Sequence, residues 1–562
     1  MTRLPAIAML ALLVLQPGAA LAQAGLGPRG FDTDRPDIAP PRPQGRTAIP
    51  PSDREVVRAD LPDITIRDVA VTGEQLVERA VLASAAAPFA GRRLTREVIN
   101  ELSNAIAAAH REAGLALFGV VVPRQDFAQG VVIVRVIEGE VSEIAIEGDT
   151  EGADLRLTRA HAEALRGERP LRRATLERAL LLMADIPGRR VTGRFEQLGE
   201  PGKVRLVLNM RRISLRYGLG FDNLGADFLG NVQITTGVTL NALLQEGDST
   251  RFTVGFPVVD FERFTYFGFR HQQPVGTSGM TVSVNATHLK QRVTGTSNLK
   301  GETTTVSLQA AYPVIRTQIE TLQVFGNFDV VDSRISVPLG RLADEATRVV
   351  RLGAVYGVAN EAQTRGGSLA VILSQGIDGA GARQRLSFFY GGPAFTKVTA
   401  IANYTHALWG QRFVLRLRAL GQYTEDRMPS TEFFTYGGVM FGRGFEAATL
   451  FGDRGISASA TLAMPFKTVM DVDSLAAGRS EFLTRAIRGA EAYVFVDGGR
   501  AENLAPAPAP RGDRAASAGF GLGFPVGEET NLNLEVAVPF LRPHNREVDR
   551  GARFVAVFRR NF

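Results

Sequence analysis

A glycine-rich segment in the second half of the chain carries the side chains best suited to a specific contact. Residues 441–455 read FGRGFEAATLFGDRG and contain four glycines and two arginines, with an acid on either side of an apolar middle. Gly442 and Gly444 allow a tight reversal of the backbone. The planar guanidinium of Arg443 can bind a carboxylate through two parallel hydrogen bonds. The segment therefore predicts a fixed loop centred on Arg443; the alternative is an exposed loop whose arginine is only solvated.

The residue types needed for most catalytic and metal centres are missing or scattered. The sequence has no cysteine, its 6 histidines are spread along the chain, and it has no HExxH, GxSxG or GxxxxGK[ST] motif. Gly519, Gly521 and Gly523 recur at the spacing of a strand face rather than of a dinucleotide-binding turn. We therefore expect no enzymatic activity, no cofactor and no metal site.

The first residues have the features of a secretory signal peptide. Arg3 precedes an apolar run from Ala6 to Leu15 that is too short to span a bilayer. Ala-Leu-Ala at 20–22 then gives a cleavage pattern before Gln23, so residues 1–22 are predicted to be removed. Without Arg3 the formal charge is one less than the +6 of the whole chain, and the excess is not concentrated in a basic tract. Binding to nucleic acid is therefore not expected.

Residues 23–61 are rich in proline, and two compact αβ units follow them. The proline content predicts an extended linker, whose best helix candidate is Ser52–Leu61. Over residues 62–141 and again over 142–212, the apolar pattern predicts the order strand, helix, helix, strand, strand. This repeated order indicates two small domains of the same kind.

From residue 213 to the end of the chain, apolar and polar residues alternate strictly. In GISASATLAM (455–464), for example, Ser457, Ser459 and Thr461 lie opposite an apolar face. About sixteen such segments of near ten residues are predicted, including one starting near residue 348 and one near 385. A soluble all-β fold would bury the apolar face in a core, whereas a transmembrane barrel turns it to lipid.

Three observations favour the barrel. The number of segments is even, as in bacterial outer-membrane barrels. A barrel also gives an exported protein a way to cross a bilayer with all its backbone hydrogen bonds satisfied. In FVLRLRAL (413–420), Arg416 and Arg418 lie on the face opposite Leu415 and Leu417, which places both charges in a lumen. The predicted fold is thus α+β periplasmic repeats followed by an all-β transmembrane barrel of about sixteen antiparallel strands.

Three local motifs resemble those of the two-partner secretion transporters, the haemolysin activator/secretion (ShlB/FhaC/HecB-like) family of the outer-membrane assembly superfamily. FGRGFE (441–446) resembles the family's V-R-G-[FY] loop tip, with Gly442 where the family usually has valine. VFVDGGR (494–500) resembles its F-x-D-x-G motif on the thirteenth strand, and VVPRQDFAQGVVIVRVIEGEV (121–141) resembles a turn and strand of its first periplasmic POTRA domain. The resemblance covers nearly the whole mature chain.

The resemblance implies a site and a function. The loop at 425–454 would fold back into the barrel, where Arg443, Gly444 and Phe445 would meet Asp497 and Gly499 as a lock between loop and barrel. The POTRA domains would lie in the periplasm and the barrel in outer-membrane lipid. The POTRA domains would bind the amino-terminal targeting region of an unfolded, secreted partner protein. This partner would leave through the barrel, and its transport would use no nucleotide. Gln125 and Asp126 are candidate substrate contacts.

Two other functions fit parts of the pattern. A factor that inserts other barrels belongs to the same superfamily but usually has more αβ repeats, and a passive porin needs neither the repeats nor the loop. Many members of the branch plug the barrel with a helix, which must run for about 30 Å. Ser52–Leu61 would reach only roughly 15 Å at 1.5 Å per residue, so no full-length plug is expected.

Overall fold

The computed structural model describes residues 61–562 except 74–75, 226–229, 294–297, 386–390, 477, 505–511, 527–529 and 545–550. The predicted signal peptide at 1–22 and all but the last residue of the predicted linker at 23–61 lie outside the described residues. Within the described part, no helix is both long and apolar enough to cross a bilayer.

The first αβ unit is a three-stranded sheet covered by two helices. Its central strand, Val131–Glu138, pairs in parallel with one neighbour and antiparallel with the other. Val132, Val134 and Val136 point from this strand into a core shared with the second helix. The other elements are the strands Asp68–Thr72 and Phe118–Val121, the helices Arg79–Ala86 and Arg96–Glu112, and the 3-10 turn Ala87–Phe89.

The second αβ unit repeats this topology directly after the first. Gly139 alone separates its first strand from the last strand of the first unit. Again the last strand in sequence is central, parallel to the first strand of the unit and antiparallel to the second. The strands are Glu140–Gly148, Arg189–Gln197 and Lys203–Arg212, and the helices are Arg156–Glu163 and Arg173–Ala184. The predicted repeat of two units with the same element order is therefore present.

The remaining described residues form a closed antiparallel barrel of sixteen strands. The last strand pairs with the first from Val557 and Asp222 to Asn561 and Gly218, which closes the sheet. In order, the strands are Leu215–Asp222, Gln233–Asn241, Ser249–Pro257, Phe264–Val275, Met280–Val293, Leu299–Arg316, Glu320–Val337, Gly340–Ala359, Arg365–Gly376, Phe395–Leu408, Phe413–Thr424, Arg454–Pro465, Glu491–Glu502, Gly512–Val526, Thr530–Leu541 and Arg553–Asn561. This confirms the predicted fold class.

Two of the predicted strand starts were wrong. The eighth strand begins at Gly340 rather than near 348, because residues 343–349 are all buried and so lack the alternation that marks a half-exposed strand. The segment near 385 does not start the tenth strand. Arg383–Arg385 instead pairs with residues 344–346 of the eighth strand and continues the ninth strand after a break. The tenth strand begins at Phe395.

The alternation along the barrel strands separates a lipid side from a lumen side. On the thirteenth strand, Val494 and Val496 are exposed on the outer face, whereas Tyr493, Phe495 and Asp497 are buried on the inner face. The connection between the twelfth and thirteenth strands carries the 3-10 turn Phe466–Thr468 and the helices Val472–Ala476 and Glu481–Gly489. Successive barrel strands run in opposite directions, so the start of the first strand and the end of the twelfth lie at the same end of the barrel. The αβ units precede the first strand and therefore lie at the end that carries this connection.

Candidate functional site

The connection between the eleventh and twelfth barrel strands, residues 425–453, folds into the lumen. It starts with the 3-10 turn Ser430–Glu432 and then forms a hairpin, in which the short strands Phe434–Tyr436 and Leu450–Gly452 pair antiparallel. We call residues 437–449 between these strands the loop tip. The tip contains Arg443, whose partners are inward-facing side chains of the barrel wall.

Arg443 and Asp497 are in direct contact. The guanidinium donates from Nε to Asp497 Oδ2 at 2.9 Å and from Nη2 to Oδ1 at 2.8 Å, and the backbone N–H of Arg443 donates to Oδ2 at 3.0 Å. Arg443 is 7% exposed and Asp497 is 0% exposed. The contact is therefore a buried bidentate ion pair, a geometry that fixes both the distance and the plane of the guanidinium.

Three further wall residues surround the guanidinium. Nη2 also donates to Ser459 Oγ at 3.1 Å and to Thr461 Oγ1 at 3.2 Å, both on the twelfth strand. The Arg443 Cζ atom lies 3.4 Å from the centroid of the Phe495 ring, which gives a cation–π contact. These three contacts use Nη2 and one face of the guanidinium, so Arg443 is held by two neighbouring strands at once.

A second acid brings the fifteenth strand into the same site. Glu535 Oε1 lies 3.6 Å from Arg443 Nη1 and accepts a hydrogen bond from the Tyr493 hydroxyl at 2.8 Å. Gly444 N donates to Ser517 Oγ on the fourteenth strand at 3.2 Å, and Arg553 on the sixteenth strand donates to the Phe445 carbonyl. The loop tip is thus attached to every strand from the twelfth to the sixteenth.

Gly442 and Gly499 both lie too close to the Tyr436 ring to carry a side chain. Gly442 has φ +82°, and a Cβ there would lie 2.7 Å from the Tyr436 ring. A Cβ at Gly499 would lie 2.3 Å from the same ring. The Tyr436 ring fills the space beside both glycines and packs against Phe445 at a centroid distance of 6.0 Å. A valine at 442 would not fit, which accounts for this departure from the family's usual motif.

The candidate substrate contacts in the first αβ unit lie far from this site and have local partners. The Gln125 side chain accepts from Ile133 N at 2.7 Å and donates to Ile133 O at 2.8 Å. It therefore pairs with backbone groups of the central strand beyond the end of its neighbour Phe118–Val121. Asp126 Oδ1 accepts from Ala128 N at 2.9 Å and shapes the turn.

One contact that sequence reasoning missed ties the barrel to the second αβ unit. Glu246, in the turn between the second and third strands, is fully buried and accepts from Leu157 N at 2.6 Å and from Thr158 N at 3.3 Å. These N–H groups begin the helix Arg156–Glu163, which has no side-chain cap of its own. Glu246 N in turn donates to Asp154 at 3.0 Å, and this hydrogen bond holds the pKa of the Asp154 carboxyl below its usual value.

Two more turns take part in this junction. Arg316, at the end of the sixth strand, binds Asp185 through two hydrogen bonds of 2.8 and 2.7 Å. Arg178 donates to the carbonyls of Ser278 and Pro313 at 3.3 and 3.1 Å. No local sequence signal could have revealed these partners, because each pair is separated by about a hundred residues or more of chain and by a change of domain.

Sequence reasoning also missed an ionic contact at the start of the loop. Glu432, in the 3-10 turn before the hairpin, pairs with Arg351 and Lys397 on the eighth and tenth strands. The sequence signal for Glu432 was an acid between hydroxyl and aromatic residues, in a loop that the resemblance already placed in the lumen. Across the residues described, no group of three or more acidic or histidine side chains is arranged to hold a metal ion.

Comparisons with known proteins define the class. The profile of the family "Haemolysin secretion/activation protein ShlB/FhaC/HecB" matches residues 202–525, and that of the ShlB-type POTRA domain matches residues 64–139. The chain therefore belongs to the ShlB/FhaC/HecB family of outer-membrane transporters, with its POTRA region in the periplasm.

Two relatives match the chain over more than half of its length. The Hemolysin transporter protein HpmB of Proteus mirabilis is 27% identical over 354 residues, which are 58% of this chain and 61% of that protein. The Outer membrane transporter CdiB of Dickeya dadantii is 23% identical over 70% of this chain and 71% of that protein. The match to HpmB thus spans less than two thirds of that relative's length.

The solved structures support the fold. CdiB from Escherichia coli superposes with a TM-score of 0.68 at 16% identity, over 97% of this chain and 98% of that one. CdiB from Acinetobacter baumannii gives 0.61 at 14% identity, over 97% and 98%. BamA from Haemophilus ducreyi lacking POTRA domains 1–3 gives 0.54 at 15% identity, over 89% and 100%.

Proposed function

We propose that this protein secretes a partner protein across the outer membrane, and that the Arg443–Asp497 contact holds the loop tip in its working position in the pore. The buried bidentate pair is the observation that carries the proposal. A passive porin has no need of a loop tip bonded to five consecutive strands. The related HpmB is named as a hemolysin transporter, which is consistent with export of a protein.

The two αβ units are proposed to receive the partner in the periplasm. They stand at the mouth of the barrel, and the second unit is fixed to three turns of the rim. We propose that an extended segment from the amino-terminal region of the unfolded partner adds to an exposed strand edge there, as in β-augmentation. Its folding outside the cell would then supply the direction of transport, with no enzymatic step.

The proposal is tested by comparing secreted and periplasmic proteins with and without this gene. Secretion of one protein should disappear on deletion and return with the wild-type gene, but not with a gene lacking residues 62–212. A matched control, Lys300→Glu on the exposed outer rim, should restore secretion fully. A general loss of outer-membrane proteins would indicate an assembly factor instead, and unchanged secretion would reject the proposal.

A further inference from the structure

The start of the in-folded loop contacts the side of the lumen away from the loop tip. Glu432 Oε1 lies 2.7 Å from Arg351 Nη2 on the eighth strand, and its Oε2 lies 2.7 Å from Lys397 Nζ on the tenth strand. Lys397 Nζ also donates to the Glu432 carbonyl at 3.0 Å, and Gln422 Nε2 does so at 2.9 Å. Side chain and backbone of Glu432 are therefore both bound to the wall.

This contact belongs to a charge-balanced network. Arg351 Nε donates to Asp329 Oδ2 on the seventh strand at 2.6 Å, and Arg351 Nη1 donates to Ser374 Oγ on the ninth strand at 2.9 Å. The four charged members, Asp329, Arg351, Lys397 and Glu432, are two acids and two bases. Because Glu432 is only 4% exposed, removing it would leave the buried Lys397 and the partly buried Arg351 facing one acid.

The two attachment points of the loop lie on different parts of the wall. Glu432 binds the eighth and tenth strands, whereas Arg443 binds the twelfth and thirteenth. The loop is therefore attached to two successive arcs of the wall, one that reaches the eleventh strand and one that begins at the twelfth. Contact at the tip alone would leave the start of the loop free to swing, and contact at the start alone would leave the tip free.

The network also borders open space. A cavity of about 310 Å³ lies between the loop and the fourth to eleventh strands, and all four charged residues line it. Its other lining groups include hydroxyls and amides such as Thr303, Ser307 and Asn327. Buried ion pairs add little stability compared with apolar packing, and their best-attested use is to specify one arrangement. The arrangement specified here is that of the loop start against the wall, beside a polar cavity.

We infer that Glu432 is a second positioning residue for transport: with Arg351 and Lys397 it holds the start of the loop, and the pore is freed only when both ends of the loop are released. This inference rests on the proposed function, because it concerns the same loop and the same path. It adds a second attachment that acts together with the Arg443–Asp497 contact.

Single-channel conductance of the purified full-length protein in planar bilayers tests the inference without the partner protein. Glu432→Lys should raise the mean current, because it places three cations against one acid. Lys397→Glu in the same chain should bring the current back toward wild type, since it restores two acids and two bases. Glu361→Lys, in the exposed turn after the eighth strand, is the matched charge reversal and should change nothing.

Thiol labelling is a second readout, for variants that insert into planar bilayers too poorly for a current to be measured. The chain has no cysteine, so Met428→Cys, at a fully buried position beside the turn, is a single reporter for thiol labelling. In Glu432→Gln its labelling rate should rise roughly tenfold or more, as expected when a buried ion pair loses one partner. Unchanged current in Glu432→Lys together with unchanged labelling in Glu432→Gln would overturn the inference.

The two proposals can fail separately. If Arg443 variants alter current and secretion while Glu432 variants alter neither, the second attachment is wrong and the proposed function stands. If Glu432 variants alter the current in the predicted way but secretion of every protein continues after deletion of the gene, the attachment stands and the proposed function fails.

Discussion

The tie between the loop tip and the barrel and the tie between the second αβ unit and the barrel each centre on a buried charged residue, but the two ties differ in kind. At the tip, the tie centres on the Arg443 guanidinium, whose Nε and Nη2 donate to a carboxylate and two hydroxyls and whose face lies over a ring. At the rim, Glu246 accepts from backbone N–H groups at the start of a helix, and separate contacts at two other turns add to it.

The difference shows which part is built to move. Withdrawing the Arg443 side chain would break its contacts with Asp497, Ser459, Thr461 and Phe495 together, and would leave the tip the backbone contacts of Gly444 and Phe445. Losing Glu246 would leave the Arg316–Asp185 pair and the Arg178 contacts in place. We therefore expect the tip to switch between two states and the αβ unit to stay docked.

The largest effect should come from removing the loop tip. Replacing residues 437–449 by a short turn should raise the conductance of the purified protein several-fold, because it removes the contacts of Arg443, Gly444 and Phe445 with strands twelve to sixteen. The comparison deletion, residues 23–60, should change conductance little, since no full-length plug is expected there. A wide-open channel after the second deletion would show that a plug exists.

A smaller effect is expected from Glu246→Ala, which leaves the helix Arg156–Glu163 without a cap. The loss of an N-terminal cap costs about 0.5–2 kcal/mol, and Arg189, 3.8 Å from Glu246, loses its acid. Limited proteolysis should cut the αβ units faster while conductance stays as in wild type. Leu244→Ala, in the same turn and 72% exposed, is the control. A change in conductance equal to that of the tip deletion would mean that the two ties are not independent.

The smallest effect is expected at the ring under the guanidinium. Phe495→Leu keeps an apolar side chain but removes the cation–π contact, worth about 0.5–2 kcal/mol. Loop opening, followed by thiol labelling at a cysteine placed in the tip, should rise modestly and stay well below the level of Asp497→Ala. Val496→Leu, on the outer face of the same strand, should label like the wild type.

The fold was predictable because one pattern repeats along the barrel. The alternation of apolar and polar residues predicted that the region forms barrel strands and how many there are. It failed where both faces of a strand are covered, as at residues 343–349 of the eighth strand. The pairing of Arg383–Arg385 with the eighth strand depends on backbone hydrogen bonds, which alternation does not encode.

The site was predictable only in part. The resemblance brought Arg443, Gly444, Phe445, Asp497 and Gly499 together, and the structure places all five at the loop tip and the wall beside it. It could not supply Glu432 or Glu246, because their charged or helix partners lie on other strands or in another domain and share no local motif with them. Polarity alone shows that a residue faces the lumen but not which strand it meets.

The most direct test of the central claim is a charge exchange between Arg443 and Asp497, read as secretion of the partner protein. Arg443→Glu and Asp497→Arg should each reduce secretion strongly, since breaking a buried pair costs about 3–5 kcal/mol, while the barrel remains heat-modifiable in the membrane. Both changes in one chain should recover part of the secretion, because the pair re-forms while Ser459, Thr461 and Phe495 remain arranged for an arginine at 443. Normal secretion in either single variant would contradict the account.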